Sequence, residues 1–182
     1  AAAPQTREVF SGELAGATQH QAGEPPVVLF GSSGWEPNRR GERRFVDEIW
    51  PRVRAASPGA LLHWFGGTPG AGSGASRPGV FVHRAPATSA AAFSPGAVLV
   101  LPLDIASGVR MRVLEAWARG IVIVASPAAA SGLNANDGRE LLLAANAAQF
   151  AVAIERLGSI PGLAERLIAG GRARLAVDHA PA

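Results

Sequence analysis

A mostly parallel, doubly wound sheet of six strands, Rossmann-like and of the α/β class, is the fold the sequence predicts. Three observations predict it. Short apolar runs alternate with longer segments of helical period, the pattern of repeated strand–helix units. Ala60 to Phe65 is continuous in apolar character, as in a parallel strand covered on both faces. A hydrophobic content of 48% against 17% charged, over 182 residues, is enough to bury one sizeable core.

Residues 1–26 mix small residues, Gln, Pro and scattered charges without a sustained period, and read as a linker or the tail of a preceding segment, closed by Pro25-Pro26. The folded domain is expected over 27–176, with a short tail at 177–182. Val27 to Phe30 is the first strand. A helix is expected from Asn38, as N-cap, to about Ala56, with Phe45, Val46, Ile49, Trp50 and Val53 on one face and Pro51 kinking or breaking it. Its other face carries Arg39, Arg40, Arg43, Arg44, Asp47 and Glu48. Ala60 to Phe65 and Val80 to His83 are the next strands, joined by the Gly/Ser/Pro loop 66–78. A short helix covers Thr88 to Phe93. Residues 97–126 then read strand, small-residue loop, amphipathic helix, strand. Glu140 to Leu143 is a short edge strand, and helices over Ala147 to Leu157 and Gly162 to Leu175 close the domain. The expected strand order is 3-2-1-4-5-6. Ligands of such sheets bind at the carboxyl ends of the strands where the order reverses, which points to the loops Gly31–Asn38 and Leu103–Val109.

Composition excludes several chemistries. There is no cysteine, so no disulfide, thiol nucleophile or Cys-based metal site; this fits a cytoplasmic location. All 17 basic residues are Arg, which excludes a P-loop lysine or a Schiff base. A net charge of +3 is far from a nucleic-acid signature. No apolar run is long enough to span a bilayer, and no signal peptide is expected at the N-terminus.

Most motif-like stretches have ordinary readings. Gly70 to Ala75 has the letters of a dinucleotide fingerprint, but it runs into Arg77-Pro78 and a strand instead of a helix, and reads as a surface loop. The Arg39–Arg44 cluster shares its helix with Glu42, Asp47 and Glu48 and reads as a solvated, salt-bridged face, with Arg39 and Arg40 placed to reach a phosphate. His63 reads as a core or edge residue inside a strand and His83 as the end of a strand near the cleft; His20 and His179 lie in the terminal segments, and no metal-ligand spacing exists. Ser32 and Ser33 are outside any G-x-S-x-G elbow.

Glu115 has two readings. With Arg112 and Arg119 it makes a surface ladder worth a few tenths of a kcal/mol per pair. It is also a carboxylate two turns behind Ala106-Ser107-Gly108, a loop without bulky side chains where backbone N–H groups can approach an anion. Arg110 and Arg112 put positive charge in the first turn, which opposes the helix dipole unless an anion compensates. Phosphates at the helix start would leave Glu115 to accept ribose hydroxyls.

The stretch PLDIASGVRMRVLEAWARGIVIVASPAAASGL resembles the region of retaining GT-B glycosyltransferases of family 4 that reads roughly PL-x-I-G-G-G-T-R-L-K-I-L-E-A-M-A-x-G-x-P-V-V-A-T. VVLFGSSGWEPNRRGERRFVDEIWPRVRAASPGALLHWFGG resembles the start of the same nucleotide-binding domain, and PGVFVHRAPATSAAAFSPGAVLVLPL its middle. The resemblance covers about residues 27–175. It implies the domain that binds the nucleotide-sugar donor. Glu115 would hold the ribose; Ser107, Gly108, Val109, Arg110 and Arg112 would face the diphosphate; Gly31 and Gly34 would line the donor loop; His83, Arg84 and Ala85 would lie beside the base. Ala106 and Ser107 replace two glycines of the family loop, and Val109 its Thr. The resemblance implies no metal and no cofactor beyond the donor. It also implies an N-terminal acceptor-binding domain that this chain does not supply, and any contact with the inner face of a membrane would come through the full-length enzyme. The chain then reads as the C-terminal half of such an enzyme or as a non-catalytic remnant.

Overall fold

The computed structural model describes residues 7–9, 25–31, 36–67, 77–105 and 110–178. Seven strands form one sheet: β1 (Arg7–Val9), β2 (Val27–Phe30), β3 (Leu62–Phe65), β4 (Val80–His83), β5 (Val98–Leu101), β6 (Val122–Ala125) and β7 (Leu142–Leu143). Their order is β1-β4-β3-β2-β5-β6-β7, and every pairing is parallel. The six expected strands therefore stand in the expected order. β1 is an addition. It lies in the stretch read as a linker and pairs with β4 through Arg7↔Phe81, Glu8↔Val82 and Val9↔His83. Arg-Glu-Val has no apolar run to announce a strand; what it has is an open edge of β4 to pair with.

Alternate residues of β2, β5 and β6 enter separate cores. Val27, Leu29, Val98, Val100, Val122 and Val124 face one side. Helix α1 (Glu36–Arg44), the π turn Phe45–Ile49, α2 (Trp50–Ala56) and α5 (Ala147–Ser159) cover that side with Phe45, Ile49, Trp50, Val53, Phe150 and Ile154. Val28, Leu99, Leu101, Ile123 and Ala125 face the other side, under Val113, Ala116 and Trp117 of α3 (Arg110–Arg119). Burial on both faces is why the strands read as unbroken apolar runs.

The expected helix over 38–56 begins at Glu36, so Asn38 is inside it, and Pro51 does not break it. The Trp50 N–H donates to the carbonyl of Phe45, five residues back, and the helix restarts with Pro51 in the first turn of α2. There the missing N–H is no loss. The expected helix over 88–93 is a 3₁₀ turn, Ser89–Ala92. Four-residue α4 (Pro127–Ala130) is capped by Ser126, whose Oγ accepts the Ala129 N–H at 3.1 Å.

β7 is two residues shorter than expected. Asp137 Oδ1 accepts the Leu143 N–H at 2.8 Å, and the Glu140 carboxylate turns aside to accept the Asn136 N–H at 2.8 Å. The last helix, α6 (Leu163–Asp178), buries Leu163 and Leu167 as expected. It also carries Gly170 and Gly171 in close contact: a Cβ on Gly170 would stand 2.0 Å from the Arg139 carbonyl oxygen, and one on Gly171 2.3 Å from the Trp117 ring.

Rings stack along β3 and β4 in the order Phe81, His63, His83, Phe65, with centroids 5.4, 5.1 and 4.4 Å apart. His63 Nδ1 and His83 Nε2 share a hydrogen bond of 2.9 Å, and His63 is fully buried, as the sequence suggested. Burial, and after it the neighbouring charge of His83, push the His63 pKa down to about 4 from 6.5. As pH falls, the unfolded chain takes this proton first. The stabilisation from a neutral His63 is therefore complete above pH 6.5 and is lost as pH falls through about 4. Urea unfolding between pH 7 and 4.5 should lose about 1 kcal/mol per pH unit from this group, and His63→Leu should flatten that slope.

Candidate functional site

The sheet order reverses between β2 and β5, and the crevice expected at their carboxyl ends lies between α1, which follows β2, and α3, which follows β5. Backbone contacts fix its floor. The Gly31 N–H donates to the Phe65 carbonyl at 2.6 Å, and the Gly66 N–H to the His83 carbonyl at 2.8 Å. A Cβ on Gly31 would stand 2.5 Å from the Gly66 oxygen, so only glycine fits at the end of β2. Helix α1 comes as close: a Cβ on Gly41 would stand 2.5 Å from the Pro102 oxygen. This approach accounts for a glycine in mid-helix, where it is otherwise about 1 kcal/mol less favourable than Ala.

The basic cluster of α1 is engaged within the protein. Arg44 Nη1 meets Asp104 Oδ1 at 2.6 Å, and its Nη2 donates to the Pro102 carbonyl at 3.3 Å. Arg40 lies 3.9 Å from Asp104, and Arg39 lies 3.5 Å from Glu36. Arg43 also bonds Glu36, and this hydrogen bond holds the Glu36 carboxyl below its ordinary range. The solvated, salt-bridged reading holds for these side chains, and exposed pairs of this kind stabilise by no more than about 1 kcal/mol. Arg39 and Arg40, one of which was expected to reach a phosphate, are each beside an acid and remain exposed.

Glu42 departs from that reading. It is only 4% exposed, and the Trp64 indole N–H donates to its Oε2 at 3.2 Å. Across the crevice, the Arg112 guanidinium carbon lies 5.0 Å from the centre of the Phe30 ring. Burial holds the Arg112 pKa below its ordinary value, while the charge of Glu42 pulls it the other way. A buried carboxylate and a half-buried guanidinium thus flank the end of β2.

Glu115 lies one turn further along α3 with its side chain 33% exposed. Arg119 pairs with its Oε1 at 3.2 Å, and the Ser89 hydroxyl donates to its Oε2. Half of the expected ladder is present; Arg112 turns to Phe30 instead. Arg84 is exposed just after β4, two strands from the point of reversal. Arg110 opens α3. Gly34, Ser107, Gly108, Val109 and the Arg110 side chain lie outside the described residues, as does the 70–75 fingerprint. Of the expected site residues, Gly31 and Arg112 come together at the crevice. Sequence reasoning missed Glu42, Trp64 and Phe30. For Glu42 the signal was present: it precedes Phe45 by three residues and Val46 by four, which places it on the buried face.

Among the described residues no group of three or more His, Asp or Glu is placed to hold a metal ion, and no helix is long and apolar enough to cross a membrane.

The model of the family "Glycosyl transferases group 1" matches residues 25–159. The chain belongs to this family. Solved structures place the group 1 chain within the GT-B fold. WaaG, a glycosyltransferase involved in lipopolysaccharide biosynthesis, superimposes with a TM-score of 0.70 at 12% identity, over 92% of this chain and 46% of WaaG. TarM gives 0.68 at 15% identity, over 88% of this chain and 33% of TarM. Anabaena HepE, solved in complex with UDP-glucose, gives 0.67 at 12%, over 93% of this chain and 49% of HepE. The group 1 chain therefore spans between a third and half of these structures. No curated protein matches its sequence significantly.

Proposed function

We propose that this chain is the donor-binding domain of a retaining glycosyltransferase that moves a sugar from a nucleoside diphosphate to an acceptor. The observation that carries the reading is the guanidinium of Arg112, half-buried over Phe30 beside the start of α3, at the one point where the sheet order reverses. A cation partly stripped of water next to a helix N-terminus favours a diphosphate. In this reading the loop amides of Gly108, Val109 and Arg110 join Arg112 in stabilising the leaving diphosphate without a metal ion. Glu115 accepts the ribose hydroxyls by exchanging the Ser89 hydroxyl for them. Gly31 and Gly34 line the donor loop, and Arg84 flanks the base. A domain of similar size, beyond this chain, supplies the acceptor side, so the chain by itself binds nucleotide and turns over little. That UDP-glucose occupies HepE supports a nucleotide-sugar ligand.

A second reading, a non-catalytic binding or interaction module, is favoured by Glu115 being occupied already by Ser89 and Arg119. Calorimetric titration with UDP, GDP and ADP separates the two. The donor reading expects one of them to bind in the micromolar to millimolar range. Glu115→Ala should weaken it about 10- to 100-fold, the worth of a hydrogen bond to a charged group. Binding of none of the three would leave the second reading.

A further inference from the structure

The carboxylate of Glu115 is engaged from two sides. Arg119 pairs with Oε1 at 3.2 Å, and the Ser89 hydroxyl donates to Oε2. The two partners differ in kind. Arg119 is four residues further along the same helix, an ordinary pair of a helical surface. Ser89 comes from another element, the 3₁₀ turn between β4 and β5. That turn is seated on the core. Ala92 at its end is fully buried, in the same cluster as Val113 and Ala116 of α3. Phe93, which follows it, lies edge-on to Phe30 with ring centroids 5.6 Å apart. This seating keeps the start of the turn, and with it the Ser89 hydroxyl, against α3.

A serine hydroxyl offers a carboxylate the same hydrogen bond that a sugar hydroxyl offers. We propose that Ser89 is a specificity-determining residue: its hydroxyl holds on Glu115 the place of one ribose hydroxyl, so that only a ligand with two adjacent hydroxyls gains by displacing it. The inference rests on the donor-binding reading and deepens it. A ligand with a single hydroxyl breaks one hydrogen bond to Glu115 and makes one of the same kind, so the exchange yields nothing. The 2′,3′-diol of a ribose makes two for the one lost, which a carboxylate has the lone pairs to accept. Ser89 thus subtracts one hydrogen bond from every ligand that reaches Glu115, and turns the site towards ribonucleotides.

The test is calorimetric titration of the full chain with whichever of UDP, GDP and ADP binds best, and with its 2′-deoxy and 2′,3′-dideoxy counterparts. The unaltered chain should bind the ribonucleotide about tenfold more tightly than the 2′-deoxy form, the effect of one hydrogen bond. It should bind the 2′-deoxy and dideoxy forms alike. Ser89→Ala removes the competing hydroxyl. It should tighten the ribonucleotide and the 2′-deoxy form about tenfold each and leave the dideoxy form unchanged. In a Glu115→Ala background the same substitution should change none of the three. Ser89→Thr, which keeps a hydroxyl, should bind as the unaltered chain does. A serine that merely steadied Glu115 would act in the opposite direction, with Ser89→Ala weakening the ribonucleotide. Ribonucleotide binding that is weaker or unchanged in Ser89→Ala would overturn the inference and leave the donor reading intact. So would tightening that persists without Glu115, or an unaltered chain that prefers the 2′-deoxy form to the dideoxy form. Binding of no nucleoside diphosphate by the unaltered chain would overturn the donor reading, and the inference with it.

Discussion

Gly170→Ala should destabilise the chain by about 3 kcal/mol, the upper end of ordinary overpacking. The new methyl would lie 2.0 Å from the Arg139 carbonyl oxygen, far inside contact distance. That oxygen is backbone, so relief requires α6 or the segment before β7 to move. Movement there disturbs Trp117, whose indole N–H donates to the Glu140 carbonyl at 3.1 Å, and Gly171, which is packed on the same ring. Alanine is the better helix former by about 1 kcal/mol, and the clash outweighs that gain. Urea unfolding should show a lower midpoint with an unchanged slope; a midpoint equal to or above that of the unaltered chain would refute the packing argument.

Arg112→Ala should weaken nucleoside diphosphate binding about 100-fold, the effect of removing a partly desolvated charge that a ligand would pair with. On the donor-binding reading the diphosphate would lose its half-buried cation. Arg112→Lys should fall between the two, within about tenfold of the native chain, because an ammonium keeps the charge but not the planar face that lies over Phe30. Titration with the best-binding of UDP, GDP and ADP reads both variants. An Arg112→Ala chain with undiminished affinity would remove the diphosphate from this crevice.

Much of the framework was legible because its physics is local. Val27–Phe30, Val98–Leu101 and Val122–Ala125 are unbroken apolar runs, and Leu62–Phe65 is interrupted only by the buried His63, since helices cover both faces, and their connections fix the order. What escaped was set by contacts distant in sequence. β1 exists as a partner for the edge of β4, 74 positions away at Arg7↔Phe81, and its own three residues carry no periodic signal. Glu115 was expected on the helix that became α3, yet its contact with Ser89, 26 residues earlier, depends on a 3₁₀ turn coming to lie beside that helix. Glu42 was passed over because charge type outweighed position: the spacing put it inward, while its neighbours Arg39, Arg40 and Arg43 suggested a wet surface.

The fit of Gly41 against Pro102, with Arg44 reaching both Pro102 and Asp104, has a mechanical consequence. Helix α1 and the segment leaving β5 are fastened together, so they move as one body. The wall of the crevice on the α1 side therefore keeps its shape as long as the segment leaving β5 stays fastened to it.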